Sequence, residues 1–68
     1  MRKQRRILDD NRRFVARTEV IGGRTYVYDR MNRRIGHVAS TGTFDHMGKK
    51  LSEKRLLALL INMAKEGK

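Results

Sequence analysis

Cysteine is absent from the 68 residues, so neither a disulfide framework nor a cysteine-based zinc site is available. Long apolar runs are absent as well. None approaches the roughly 18 residues needed to span a bilayer. In the basic N-terminal stretch, Ile7 and Leu8 are the only apolar residues between Met1 and Asp9, which is unlike a secretory signal. These features point to a cytoplasmic protein without membrane attachment. Acidic residues are scarce: Asp plus Glu number 7 against 17 Lys plus Arg, for a net charge of +10. A soluble surface needs only roughly 2–8 net charges in a small domain. The excess therefore points to a polyanionic partner.

Catalytic and metal-binding patterns are missing too. His37 and His46 lie nine residues apart with no cysteine to join them. Asp9, Asp10, Glu19, Asp29, Asp45, Glu53 and Glu66 are scattered along the chain. Gly22-Gly23 is not followed by the Gly-Lys-Ser/Thr of a phosphate-cradling loop, and Ser40, Thr41 and Thr43 have no evident base. The expectation is a binding protein, with no enzymatic activity, metal or cofactor. A chain of this length makes one domain and buries only ~60% of its unfolded surface.

What the chain does contain is arginine, eleven of them. The planar guanidinium forms paired bonds with phosphate and stacks on rings. Residues 1–13, MRKQRRILDDNRR, hold too little apolar surface to order themselves and read as a flexible basic arm. Residues 14–21 and 24–29, on either side of Gly22-Gly23, read as a β-hairpin whose two-residue loop needs positive φ. A repeat follows at a period of 16: Tyr28-Asp29-Arg30-Met31-Asn32-Arg33-Arg34-Ile35 matches Phe44-Asp45-His46-Met47-Gly48-Lys49-Lys50-Leu51. Asn32 and Gly48 occupy the same place in it, and both residue types enter the left-handed region readily. Each copy predicts a three-residue turn in which the Asp accepts backbone N–H bonds.

From Ser52 onward the pattern is helical. Ser52 caps a predicted helix over Glu53–Glu66, with Gly67 as terminator. Leu56, Leu57, Leu59, Leu60, Ile61, Met63 and Ala64 form its apolar stripe. The fold class expected is α+β. Residues 14–68 form a three- to four-stranded antiparallel sheet with the C-terminal helix packed on one face, preceded by the arm.

The turns set a register in which Val27 faces Ile35 and Tyr26 faces Gly36. One sheet face then carries Phe14, Ala16, Thr18, Val20, Thr25, Val27, Ile35, His37 and Ala39, for the helix to cover. The other carries Arg17, Glu19, Arg24, Tyr26, Tyr28 and Arg34, with Val38 at its edge. This second face is a candidate nucleic-acid surface, although the two tyrosines fit cross-strand packing as well. The full candidate set is Arg2, Lys3, Arg5, Arg6, Arg12, Arg13, Arg17, Arg24, Tyr26, Tyr28, Arg30, Arg33, Arg34, Lys49 and Lys50.

A basic tail, a sheet built around RTYVYDRMNRRIGHV and a terminal helix beginning SEKRLLALL resemble the small DNA-binding domains at the N-terminus of tyrosine-type phage integrases. The plant AP2-type domains share that arrangement. The resemblance implies an open sheet face entering the major groove, with DNA contacts through Arg17, Arg24, Tyr26, Tyr28 and Arg34. DNA is therefore expected ahead of RNA as partner. An RNA-binding ribonucleoprotein component is the second expectation. The third is a phage-type interaction module or inhibitor that docks on an acidic host protein. The helix stripe leaves room for a homodimer or protein partner.

Overall fold

The computed structural model describes residues 3–66. Three turns of one design organise it. Asp9, Asp29 and Asp45 each donate their N–H to the carbonyl four residues on, that of Arg13, Arg33 and Lys49, at 3.0, 2.9 and 2.9 Å. Arg12, Asn32 and Gly48 each donate back to the Asp carbonyl, at 2.9, 2.9 and 3.1 Å. The Asp Oδ1 then accepts the N–H groups of the second and fourth following residues: Asn11 and Arg13, Met31 and Arg33, Met47 and Lys49. Every copy takes a positive φ at its third following residue, 63° at Arg12, 64° at Asn32 and 84° at Gly48. The two turns expected from the repeat are present, and residues 9–13 form a third.

These turns join β1 (Lys3–Leu8) to β2 (Phe14–Ile21), β3 (Arg24–Asp29) to β4 (Arg34–Ala39), and β5 (Gly42–Asp45) to β6 (Lys50–Ser52). Gly22-Gly23 links β2 to β3 with both φ values positive and Ile21 opposite Arg24, as the sequence implied. The outcome is an antiparallel meander in the order β1-β2-β3-β4-β5-β6. This corrects the expected three- to four-stranded sheet. The described part of the basic arm is no arm: residues 3–8 pair along β2, from Lys3 opposite Val20 to Leu8 opposite Phe14. The TGTFDHMGKK segment supplies β5 and the start of β6.

Each Asp turn is followed by one extra residue in the ladder. Val15, Ile35 and Leu51 are skipped between the paired positions on either side, and each lies six residues after its Asp. Such bulges turn a strand by one residue. Here the bulge at Ile35 corrects the expected register. Val27 lies opposite Gly36, and Tyr26 opposite His37. Gly36 and Val38 therefore face the helix, while His37 joins the open face.

The helix, α1 (Leu57–Glu66), packs over β2, β3 and β4. Val15, Ala16, Val27, Val38, Leu60 and Ala64 form the core, with Ile7, Ile35, Leu57 and Met63 packed against it. Leu60 seats so close to β4 that Gly36 has no room for a side chain. A Cβ there would meet the Phe44 carbonyl oxygen and come within 2.9 Å of Leu60 Cδ2. The helix starts later than the predicted Glu53, for an identifiable reason. Ser52 still pairs with Thr43 in the sheet, and its hydroxyl accepts from Lys54 N–H instead of capping a helix. Buried Thr43 Oγ1 donates to the Lys54 carbonyl at 2.7 Å and accepts from Leu56 N–H at 2.8 Å, holding residues 54–56 out of helical bonding. Leu56, from the predicted stripe, remains 39% exposed.

Candidate nucleic-acid interface

The face away from α1 is built in rungs. One rung crosses the whole sheet: Gln4, Glu19, Tyr26, His37, Phe44 and Lys50 are successive cross-strand partners. The next runs Arg6, Arg17, Tyr28 and Arg34. Antiparallel pairing brings such side chains within reach of one another, and here it produces a continuous stack. The Arg17 guanidinium lies over Tyr28 at 4.2 Å from the ring centroid. Arg34 sits between the tyrosines, 5.9 Å from Tyr28 and 4.8 Å from Tyr26. Tyr26 meets His37 at 5.5 Å, His37 stacks on Phe44 at 4.8 Å and 12°, and the Lys50 ammonium lies 5.8 Å from Phe44. Each of these four rings thus has two neighbours in the series.

The cations differ in how firmly they are held. Arg17 donates to Glu19 Oε2 at 2.7 Å and to the Asn32 side-chain oxygen, so both terminal nitrogens of its fork are engaged. Glu19 is buried and also accepts from Gln4 at 3.0 Å. Arg34 is exposed. Its weak hydrogen bond to the Tyr28 hydroxyl, at 3.5 Å, helps push its pKa above the ordinary value and leaves most of the fork facing solvent. Burial lowers the His37 pKa, and the positive charges of Arg24 and Arg34 lower it further. His37 is therefore neutral near pH 7 and serves as a ring in the stack.

Seven of the predicted site residues come together on this face: Arg6, Arg17, Arg24, Tyr26, Tyr28, Arg34 and Lys50. Arg24 stands at its Gly-Gly end, opposite Ile21. Lys3 and Arg5 alternate to the other face of β1, opposite Val20 and Thr18. Arg12, Arg13, Arg30, Arg33 and Lys49 sit in the Asp turns at one end of the sheet, where Arg33 Nε pairs with Asp29 at 3.0 Å. Arg2 lies outside the described residues. Sequence reasoning missed His37 and Phe44. Phe44 was findable, because it holds the place of Tyr28 in the repeat; His37 was hidden behind the Ile35 bulge.

Among the described residues no group of three or more His, Cys, Asp or Glu side chains could hold a metal ion, and no helix is long and apolar enough to cross a membrane. No protein family, curated protein or solved structure matches this chain.

Proposed function

We propose that the protein is a cytoplasmic nucleic-acid-binding protein that lays its open sheet face across the phosphates of duplex DNA, with little dependence on sequence. The observation that carries this is the cation–ring stack from Arg17 to Lys50. Two features of it select the ligand. First, the π-faces of Tyr28, Tyr26, His37 and Phe44 are already flanked by neighbouring side chains. A single strand that relies on bases stacking upon aromatic rings gains little on such a surface. The Arg34 guanidinium and Lys50 ammonium are exposed, and their N–H groups suit phosphate oxygens. Second, six strands spaced about 4.8 Å apart make a face about 24 Å wide. That does not enter flat into a major groove about 12 Å wide. Phosphate contact across the groove replaces the groove insertion that integrase-type domains imply.

The test is a binding titration with duplex DNA, single-stranded DNA, structured RNA and polyglutamate. Duplex DNA of unrelated sequences should bind alike and ahead of the other three. With about six phosphates neutralised, log affinity should fall against log salt with a slope near −5. Arg34→Ala should weaken all duplexes uniformly and reduce that slope by about 1. A salt-independent affinity, or polyglutamate binding as well as DNA, would sink the proposal. Preference for single strands that is lost in Tyr26→Ala would show that the rings, not the cations, make the site.

A further inference from the structure

The opposite side of the sheet holds a second surface of different chemistry. The helix covers β2, β3 and β4, and β1 stands beside it at the edge of the sheet. Between β1 and the start of α1 runs a groove of ≈ 570 Å³, with Ile7, Val20 and Leu57 along it and Lys3 and Arg5 at its rim. Lys3 and Arg5 are exposed, and neither is in an ion pair with another described residue. Among the described residues no strand lies beyond β1 to take up its outward N–H and C=O groups.

We infer that this edge and groove bind an acidic, extended segment of a partner protein, which adds to β1 as a further strand. Backbone bonding to a free edge supplies affinity in such a mode, and alternate side chains supply selectivity. Side chains of the added strand point alternately to the two sides of the sheet. Those on the helix side would meet the Ile7 and Leu57 groove and the Lys3 and Arg5 cations. The charge pattern also decides against a second copy of this chain. Lys3, Arg5 and Arg6 are three cations on one six-residue strand, and pairing β1 with β1 would set them against each other. Edge charges of this kind guard against self-association while leaving a complementary acidic strand welcome. Nucleic acid fits less well, because Ile7, Val20 and Leu57 give the groove an apolar part and the edge offers backbone partners that a phosphodiester chain cannot match on both donor and acceptor sides.

The experiment uses the full chain and a short dye-labelled peptide in which Glu and Leu alternate. Controls are a peptide of the same composition with Glu and Leu in separate blocks, polyglutamate, and duplex DNA. Anisotropy measures affinity, and amide hydrogen exchange locates the site. The alternating peptide should bind more tightly than the block peptide and polyglutamate, and should slow exchange at β1 amides that have no partner in β2. Arg5→Glu should weaken it about tenfold, and Val20→Gln, at a position 37% exposed, should weaken it with the fold intact. Duplex DNA should not compete for this edge. Equal binding of all three acidic peptides, protection on the Tyr26–Phe44 rung instead of β1, or a β1-mediated homodimer would overturn the inference. Loss of DNA binding in the open-face variants would leave it standing.

Discussion

Arg12 occupies a backbone position that its two counterparts fill with Asn32 and Gly48. All three have positive φ, and each donates its N–H to the carbonyl of the Asp three residues before it. For an L-residue with a side chain the left-handed region costs roughly 1–2 kcal/mol. Arg12 is exposed and forms no ion pair with another described residue, so little offsets that cost. Arg12→Gly removes it, while the freer unfolded chain takes back about 0.4–1 kcal/mol. The net expectation is a stabilisation of about 0.5–1 kcal/mol. At about 4–8 °C per kcal/mol for a domain of this size, the melting temperature should rise by about 2–8 °C. Arg12→Asn should raise it less. Circular dichroism melts at moderate salt measure the effect. Arg12→Ala is the necessary control, because deleting any cation from a chain of +10 also relieves self-repulsion. If the alanine variant gains as much as the glycine variant, charge and not backbone is responsible, and the equivalence of the three turns has no energetic content. A fall in melting temperature for Arg12→Gly refutes it outright.

Three further perturbations probe the fold. Gly36→Ala should cost about 1–3 kcal/mol or more, since its methyl group would press on the Phe44 backbone and Leu60; an unchanged urea midpoint would mean that β4 and β5 do not approach as closely as described. Thr43→Val keeps the shape but deprives the Lys54 carbonyl and Leu56 N–H of their partner, so a loss of about 1–2 kcal/mol is expected, with no loss if water replaces the hydroxyl. The pKa values of Asp9 and Asp45 are lowered chiefly by the backbone N–H groups of Arg13 and Lys49; Asp29 is lowered as well, its burial pulling upward but outweighed by bonds from Arg33 and Met31. Carboxyls depressed on folding stabilise fully above their unfolded pKa, near 3.8, and the stabilisation drains away as pH falls through the lower folded value. Urea midpoints should therefore drop below about pH 4, and Asp45→Asn should flatten the profile. His37, whose pKa is also depressed, begins its own loss below its ordinary 6.5, so the comparison belongs at the acid end.

Much of the fold was legible, and what was hidden has physical causes. Gly22-Gly23 set the β2–β3 register, because few residues other than glycine accept two consecutive positive φ values. The Asp29 and Asp45 turns were visible because Asn32 and Gly48 advertise the left-handed position. The Asp9 turn carries arginine there, which gives no such signal, and it lies 20 residues before Asp29, not 16. Dense basic charge then made β1 look like a tail, although its pairing with β2 needs only backbone. The open face was half legible. Arg17, Tyr26, Tyr28 and Arg34 follow from strand alternation, but a two-residue period cannot register an inserted residue. Ile35 therefore displaced everything after it by one. The cue existed: Val15, Ile35 and Leu51 are all aliphatic and hold the same place after their Asp. The helix began late because Thr43, distant in sequence, claims the backbone groups that would have formed its first turn.

The turn repeat also accounts for where the charge goes. Each turn requires a carboxylate to satisfy its backbone N–H groups, so Asp9, Asp29 and Asp45 are drawn to one end of the sheet, with Asp10 beside them. The five cations of those turns, Arg12, Arg13, Arg30, Arg33 and Lys49, thus face four carboxylates and leave little net charge at that end. The open face has no such demand on it. Arg6, Arg17, Arg24, Arg34 and Lys50 stand there with the buried Glu19, whose contacts with Arg17 and Gln4 turn it inward. Of the chain's net +10, the turn end thus holds about +1 and the open face +4. A positive field over a broad surface raises the local concentration of an anionic polymer before any specific contact forms. On the proposed reading, the same Asp residues that close the hairpins are what keep the DNA-facing side free of neutralising charge. Moving one carboxylate onto that side, as in Arg24→Glu, changes the field by two charges without touching a turn, and should slow association with DNA more than it speeds dissociation.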